Sequence, residues 1–186
     1  AVYHADGSVD PLRDMEMVSS ELLMHDQIFV EKRIERIELT LKKLKNEQQE
    51  KELVLLRKML EHLEQELPLR LMEIAPDDEL LIKSYPFITK KELILAFNVS
   101  EDDLGESDIL TQIADTCAAQ KMEAMIVSAQ VESEIALLDS EEEKQDFLSD
   151  LGIEEAALGM LTRLCLNALG LISFFTVGED EVRQWL

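Results

Sequence analysis

Two short polar segments in this chain carry side chains suited to holding a ligand by its edge. The first is Asn98-Val99-Ser100-Glu101, which ends the apolar run Leu93-Ile94-Leu95-Ala96-Phe97. The second is Ser128-Ala129-Gln130, which ends a second apolar run, Met122 to Val127. An amide, a carboxylate and a hydroxyl are the groups that read a ligand by hydrogen-bond pattern. Taken alone, the first segment reads equally well as an ordinary strand-to-helix turn, because short apolar runs are ambiguous.

The elements that must position these groups decide between the two readings. Five apolar residues in a row suit a strand buried on both faces, as in a parallel sheet covered by helices. Ser107 is placed to cap a helix over Asp108 to Gln120, with Ile109, Leu110, Ile113, Ala114 and Cys117 on one face. Met122 to Val127 then reads as a second strand. A strand, a helix and a strand in this order make a βαβ unit, whose strands run parallel through a right-handed crossover. Both polar segments then emerge on one edge of the sheet, where ligand crevices of such sheets lie.

Composition narrows the class. The chain has 186 residues, enough for one domain or two, and its 46% hydrophobic and 31% charged content suits a soluble globular protein. No apolar run approaches the length of a membrane span, and Ala1 to Asp14 lacks the apolar centre of a signal peptide. A cytoplasmic protein is expected. Cys117 and Cys165 fall on the apolar faces of separate helices, which suits buried reduced thiols. His4, His25 and His62 show no metal-ligand spacing.

The net charge is −22, which argues against nucleic-acid binding by most of the surface. Its distribution is uneven. Val30 to Glu66 holds nine Lys/Arg against nine Asp/Glu, whereas the rest holds nine basic and 31 acidic residues. Any attraction to phosphate falls to that neutral stretch, above all to Lys42, Lys43 and Lys45.

In that same stretch Val30, Ile34, Ile37, Leu41 and Leu44 recur at heptad steps, and Leu53, Leu56, Leu60, Leu63 and Leu67 repeat the pattern before Pro68. Two stripes broken near Asn46 predict an antiparallel coiled-coil hairpin. Its charged flanks suit a solvated face, and its projecting shape suits an arm for a large partner. Upstream, Asp10-Pro11 supplies an N-cap and a first helical residue, and Val2-Tyr3 reads as the tail of a strand. Downstream, Pro76 opens a short helix, and the run behind Thr89 overrules a capping-box reading there. Ser140 and Glu143 form a better capping box for a helix to about Asp150, closed by Gly152. A further helix covers Glu154 to Ala168, stopped by Gly170, and Leu171 to Val177 reads as a strand.

Asn-x-x-[Asp/Glu] followed about 30 residues later by Ser-Ala resembles the base-recognition pair of P-loop GTPases. The fuller likeness is to the YchF subfamily of Obg-like ATPases and GTPases. It is carried by Gly7-Ser8-Val9-Asp10-Pro11-Leu12-Arg13-Asp14, Glu31-Lys32-Arg33-Ile34, Asn98-Val99-Ser100-Glu101, Phe147-Leu148-Ser149-Asp150-Leu151-Gly152 and the stretch from Phe174 to Trp185. These occur in family order over nearly the whole chain.

The resemblance implies an α/β fold: a parallel-sheet P-loop half-domain with an inserted antiparallel coiled-coil hairpin, helix-rich overall. It places the nucleotide-binding domain at 1–29 and 68–138, the hairpin at 30–67, a helical connection at 139–170 and the start of a TGS domain at 171–186. It implies that Asn98, Val99, Glu101, Ser128, Ala129 and Gln130 surround the base of a purine nucleotide. Guanine-specific relatives use Asn-Lys-x-Asp, whose carboxylate takes two hydrogen bonds from the base. With Val99 and the longer Glu101 in those places, that bidentate pair falls out of register, and ATP is expected over GTP. The resemblance also implies a translation-associated regulator that contacts the ribosome, with nucleic acid met through the hairpin or the TGS region. None of the six glycines begins G-x-x-x-x-G-K-[ST]. The residues that hold phosphate and Mg2+ are therefore expected outside this chain, which by itself should hydrolyse nothing. A coiled-coil interaction module with a βαβ scaffold and no nucleotide role is the competing expectation.

Overall fold

In the computed structural model, which describes residues 7–104, 108–153, 155–178 and 180–185, the chain falls into two units, 1–91 and 92–186. The strand tail expected at Val2-Tyr3 and the cap expected at Ser107 lie outside the described residues.

The first unit begins with helix α1 (Pro11–Leu41). Asp10 caps it by accepting the Arg13 N–H at 3.1 Å, which satisfies one of the donors a helix start leaves open. The Arg13 guanidinium reaches back to the Ser8 hydroxyl at 2.9 Å and to its carbonyl at 2.8 Å, fastening the approach to the helix. Asn46 then caps α2 (Glu47–Glu64), its Oδ1 accepting from the N–H groups of Gln48 and Gln49. The polar break in the heptads is thus a turn and a cap. The short connection between α1 and α2 folds them into a helical hairpin, held along its flank by ion pairs of Arg33 with Glu52 and of Arg57 with Glu38.

The hairpin is not an isolated pair of helices. A 3-10 turn (Leu69–Leu71), helix α3 (Pro76–Ile82) and the loop through Phe87 lay a third layer on it. Leu69, Ile82 and Phe87 are buried with Val30, Ile37, Leu55, Leu56, Met59 and Leu63 in one cluster. Leu55 and Met59 stand outside the heptad stripe and are buried by this layer. Leu44 and Leu67, at the stripe's two ends, are exposed.

Polar groups brace the same layer. Asp26 is fully buried, and its carboxylate accepts from Ile88 N at 3.0 Å, Thr89 N at 2.7 Å and Thr89 Oγ1 at 2.8 Å. Thr89 thus ends the layer with a carboxylate bond, and no helix starts there. Tyr85 donates its hydroxyl to Glu52, which also accepts from Arg33 Nε at 2.8 Å. Burial, and then the bond to Glu52, push the Tyr85 hydroxyl up to about 12.

The second unit holds the βαβ unit. Strand β1 (Leu93–Asn98), helix α4 (Asp108–Gln120) and strand β2 (Met122–Val127) follow in order, and β1 pairs with β2 in parallel, Leu93 opposite Met122 and Asn98 opposite Val127. The expected burial of β1 on both faces is not met. Leu93, Ile94, Leu95 and Phe97 are half-buried and Ala96 is exposed. The described sheet has only these two strands, so each is an edge, and single helices cover too little of it. Ile113, Cys117, Met122 and Met125 are its buried residues.

Helix α5 (Ala129–Ile135) follows β2 directly, and α6 (Glu141–Asp150) carries the expected capping box in both halves. Val131, Ile135 and Leu148 form a small core between them. Helix α7 (Ala157–Ala168) starts with its Ala157 N–H donated to Glu132 Oε1 at 2.7 Å. Gly152 and Gly170 take positive φ at the two helix ends where a stop was expected. The hairpin of β3 (Phe174–Val177) and β4 (Val182–Trp185) is antiparallel and exposed along its length.

Candidate functional site

The parallel ladder brings the two polar segments side by side. Asn98 is the last residue of β1 and lies opposite Val127, the last of β2. The ladder continues one step further, with Val99 N donating to Val127 O at 2.9 Å. Parallel strands have no tight turn between them, so this juxtaposition depends on α4 returning the chain to the same edge.

The decisive contact is between the segments. Asn98 Oδ1 accepts the backbone N–H of Ala129 at 3.0 Å, across 31 residues of sequence. Ala129 is the first residue of α5, where a helix leaves its N–H without an internal partner. The carboxamide therefore takes a donor that would otherwise face solvent, and it ties the first loop to the second. Asn98 remains exposed and Val99 half-buried.

Ser128 precedes Ala129 and sits in extended backbone as the N-cap position of α5, yet its side chain makes no capping bond. It is 2% exposed, and its Oγ has no hydrogen-bond partner among the described residues. A buried hydroxyl without a partner is uncommon and marks a place where a further group belongs.

Glu101 lies in a 3-10 turn (Glu101–Asp103) after Ser100 and is exposed. Gln130 turns along α5, donating Nε2 to Glu134 Oε1 at 3.3 Å. The site thus joins Asn98, Val99, Ser128 and Ala129 directly. Glu101 and Gln130 stand on the same two loops with their side chains outside that contact. Ser100 was not singled out by the sequence reading. Its hydroxyl donates to Asp103 Oδ2 at 2.5 Å and shapes the turn that carries Glu101. The Ser-x-x-acid spacing of a cap was the available signal.

Lys42, Lys43 and Lys45 are exposed in the turn of the helical hairpin, around the exposed Leu44. Cys117, on the crossover helix α4, is a free thiol pushed up by burial and by the Glu123 carboxylate, and Cys165 is also free. Such a thiol is poorly nucleophilic. No three His, Cys, Asp or Glu side chains are grouped to hold a metal ion among the described residues. Those residues offer no ligand set that fits the Mg2+ the resemblance implies. Among the described residues no helix is long and apolar enough to cross a membrane.

No family model matches the chain. Individual proteins do. The chain is 38% identical over 187 residues to the ribosome-binding ATPase YchF of Bacillus subtilis, covering 99% of this chain and 50% of that protein. It is 36% identical over 186 residues to the protein of the same name from Haemophilus influenzae, again with 99% and 50% covered. A solved structure of the Schizosaccharomyces pombe YchF GTPase matches with a TM-score of 0.81 and 28% identity, covering 100% of this chain and 51% of that one. The chain spans about half the length of the curated relatives it matches.

Proposed function

Because this chain belongs to the YchF subfamily over the half of its relatives' length that it spans, we propose that it carries the base-recognition side of a purine-nucleotide site, with ATP preferred over GTP. The observation that carries the reading is the hydrogen bond from Ala129 N–H to Asn98 Oδ1, which joins the two loops into one surface. Asn98 offers its amide to the base edge, Val99 supplies apolar contact to the ring, and the Ser128 hydroxyl is the buried group that still lacks a partner. Glu101 is one methylene longer than the aspartate of guanine-binding relatives and is displaced from a bidentate fit.

In this reading the intact protein is a P-loop ATPase or GTPase. The phosphates and Mg2+ are held by residues other than those described, and the hydrolytic chemistry depends on them. This chain's residues bind and orient the base, which fixes where the phosphates lie. The β3/β4 hairpin is the opening of a TGS module, and a cytoplasmic, ribosome-associated setting goes with the family.

Titration of the intact protein with ATP and GTP tests the proposal. ATP is expected to bind more tightly, and Asn98→Ala to weaken it about tenfold, the worth of roughly one well-placed hydrogen bond. Binding of neither nucleotide would favour the interaction-module reading. That second reading has its own support, since unit 1–91 packs a separate core around the helical hairpin. The two combine if the hairpin is a coiled-coil arm that meets ribosomal phosphate through Lys42, Lys43 and Lys45. Replacing all three by Ala should then lower the salt dependence of ribosome binding by about three phosphate contacts.

A further inference from the structure

The helices of this chain find their N-terminal caps in two ways. Helices α1, α2 and α6 are capped by the residue just before them, Asp10, Asn46 and Ser140. Helices α5 and α7 are not. Ser128 and Ala156 stand at their N-cap positions without a side-chain capping bond, and each helix has its first N–H met by a distant side chain. Asn98 Oδ1 accepts from Ala129, 31 residues on, to open α5, and Glu132 Oε1 accepts from Ala157, 25 residues on, to open α7. A carboxylate at a helix start is favoured by the helix dipole as well.

The two distant caps are joined end to end. Glu132 lies one turn into α5, its own N–H donating to Ser128 O at 3.0 Å. At seven residues α5 is marginal as a helix by itself, so its place depends on what holds it. Its apolar side repeats the link. Val131 and Ile135, with Leu148 of α6, form the core on which Leu104, just after the Glu101 turn, and Ala156, just before α7, are both packed. A shift of the loop at Ser128 and Ala129 therefore carries Glu132 with it, and the start of α7 keeps or loses its acceptor accordingly.

We infer that Glu132 is a positioning residue that couples this loop to the start of α7: a nucleotide held at Asn98 firms the first turn of α7, and the capped α7 in return strengthens nucleotide binding. This rests on the base-site reading above. Nδ2 of Asn98 has no partner among the described residues. A ligand that engages it fixes the carboxamide and so holds Oδ1 on Ala129. Helix α5 then stays in place, and Glu132 stays on Ala157. The coupling runs within unit 92–186 and ends on the helix that leads to the β3/β4 hairpin.

Amide hydrogen exchange of the intact protein, with and without the non-hydrolysable ATP analogue AMP-PNP, tests this. The analogue should slow exchange at Ala157 by about fivefold, the low end of the range for coupled sites. The first turn of α6, which its own Ser140 caps, should change by less than about twofold. Glu132→Gln, which keeps Oε1 as an acceptor, should retain the slowing at Ala157, and Glu132→Ala should lose it. Because linkage is reciprocal, Glu132→Ala should also weaken binding of the analogue by about fivefold, with Glu132→Gln within about twofold of the unaltered protein. A side chain that only braced α7 would lower stability and leave that Kd unmoved. Binding of the analogue without slowing at Ala157 in the unaltered protein overturns the inference, even if Glu132→Ala does not fold. Equal slowing across α6 does so too, as does a slowing that persists in Glu132→Ala. Failure of the unaltered protein to bind the analogue at all overturns the base-site reading itself, and the inference falls with it.

Discussion

The two units spend their hydrogen-bonding capacity differently. In unit 1–91 a buried carboxylate, Asp26, has three donors aimed at it, and Glu52 serves both Tyr85 and Arg33. Gln49 Oε1 is an exception among its buried side-chain atoms. In unit 92–186 the buried Ser128 hydroxyl has no partner among the described residues, and Asn98 has used one of its amide's capacities. The apolar surfaces differ in the same sense. The hairpin and its third layer close over nine buried residues, whereas α7 buries none, and Leu158 on it is 71% exposed. The first unit satisfies its buried carboxylates from within, whereas under the proposed reading the groups left open in the second are the ones a ligand would meet.

The sharpest way to break this contrast is a matched pair of truncations. Leu56 is fully buried in the first unit's core, and Leu56→Ala should destabilise that unit by about 4 kcal/mol. Leu158→Ala should stay within about 0.5 kcal/mol, as for an exposed site. Urea denaturation followed by helical circular dichroism reads both, and equal losses would erase the distinction. Next in size, Asp26→Ala orphans the donors of Ile88 and Thr89 and should cost about 3 kcal/mol by the same measurement. A change below about 1 kcal/mol would mean that solvent reaches those donors easily.

Alkali sharpens the comparison further. The folded state raises Tyr85 from 10.0 to about 12, so folding favours its neutral form. The stability this contributes is complete below pH 10 and is lost as pH rises through about 12. Tyr85→Phe should flatten the decline of unit 1–91 across that window, measured by denaturation at stepped pH. The smallest effect is expected on the hairpin's surface. Arg57 and Glu38 are both well exposed despite their 2.7 Å contact, and Arg57→Ala should change stability by less than about 0.5 kcal/mol.

Local signals made much of this legible. The helix at 108–120 and the strand at 122–127 stand where period and propensity put them. Ser140 and Glu143 bond to each other's backbone as their spacing required. These depend on residues within a few positions of one another. What escaped depends on distant ones. Leu55 and Met59 look like stripe neighbours until the layer at 69–87 covers them. Asp26 carried no signal of its own, although it lies four residues before Val30 on the buried stripe, and the donors that explain it, on Ile88 and Thr89, are 62 and 63 residues away. At the candidate site, the Asn and Ser-Ala residues could be named from their types and spacing. That a main-chain N–H binds one to the other could not, because backbone donors have no letter in a sequence.

The pairing of Asn98 with Val127 sets where length changes can be absorbed. Residues added to the loop between β1 and α4 lengthen only the path from one strand to the other, whereas one added inside α4 would turn Ile113 or Cys117 off its buried face. A single residue added inside β2 is different in kind. It would carry Ser128 and Ala129 one position beyond Asn98 and reverse which face each following side chain occupies. The loop ahead of α4 can drift in length, and the two strands are the ruler against which the binding loops are set.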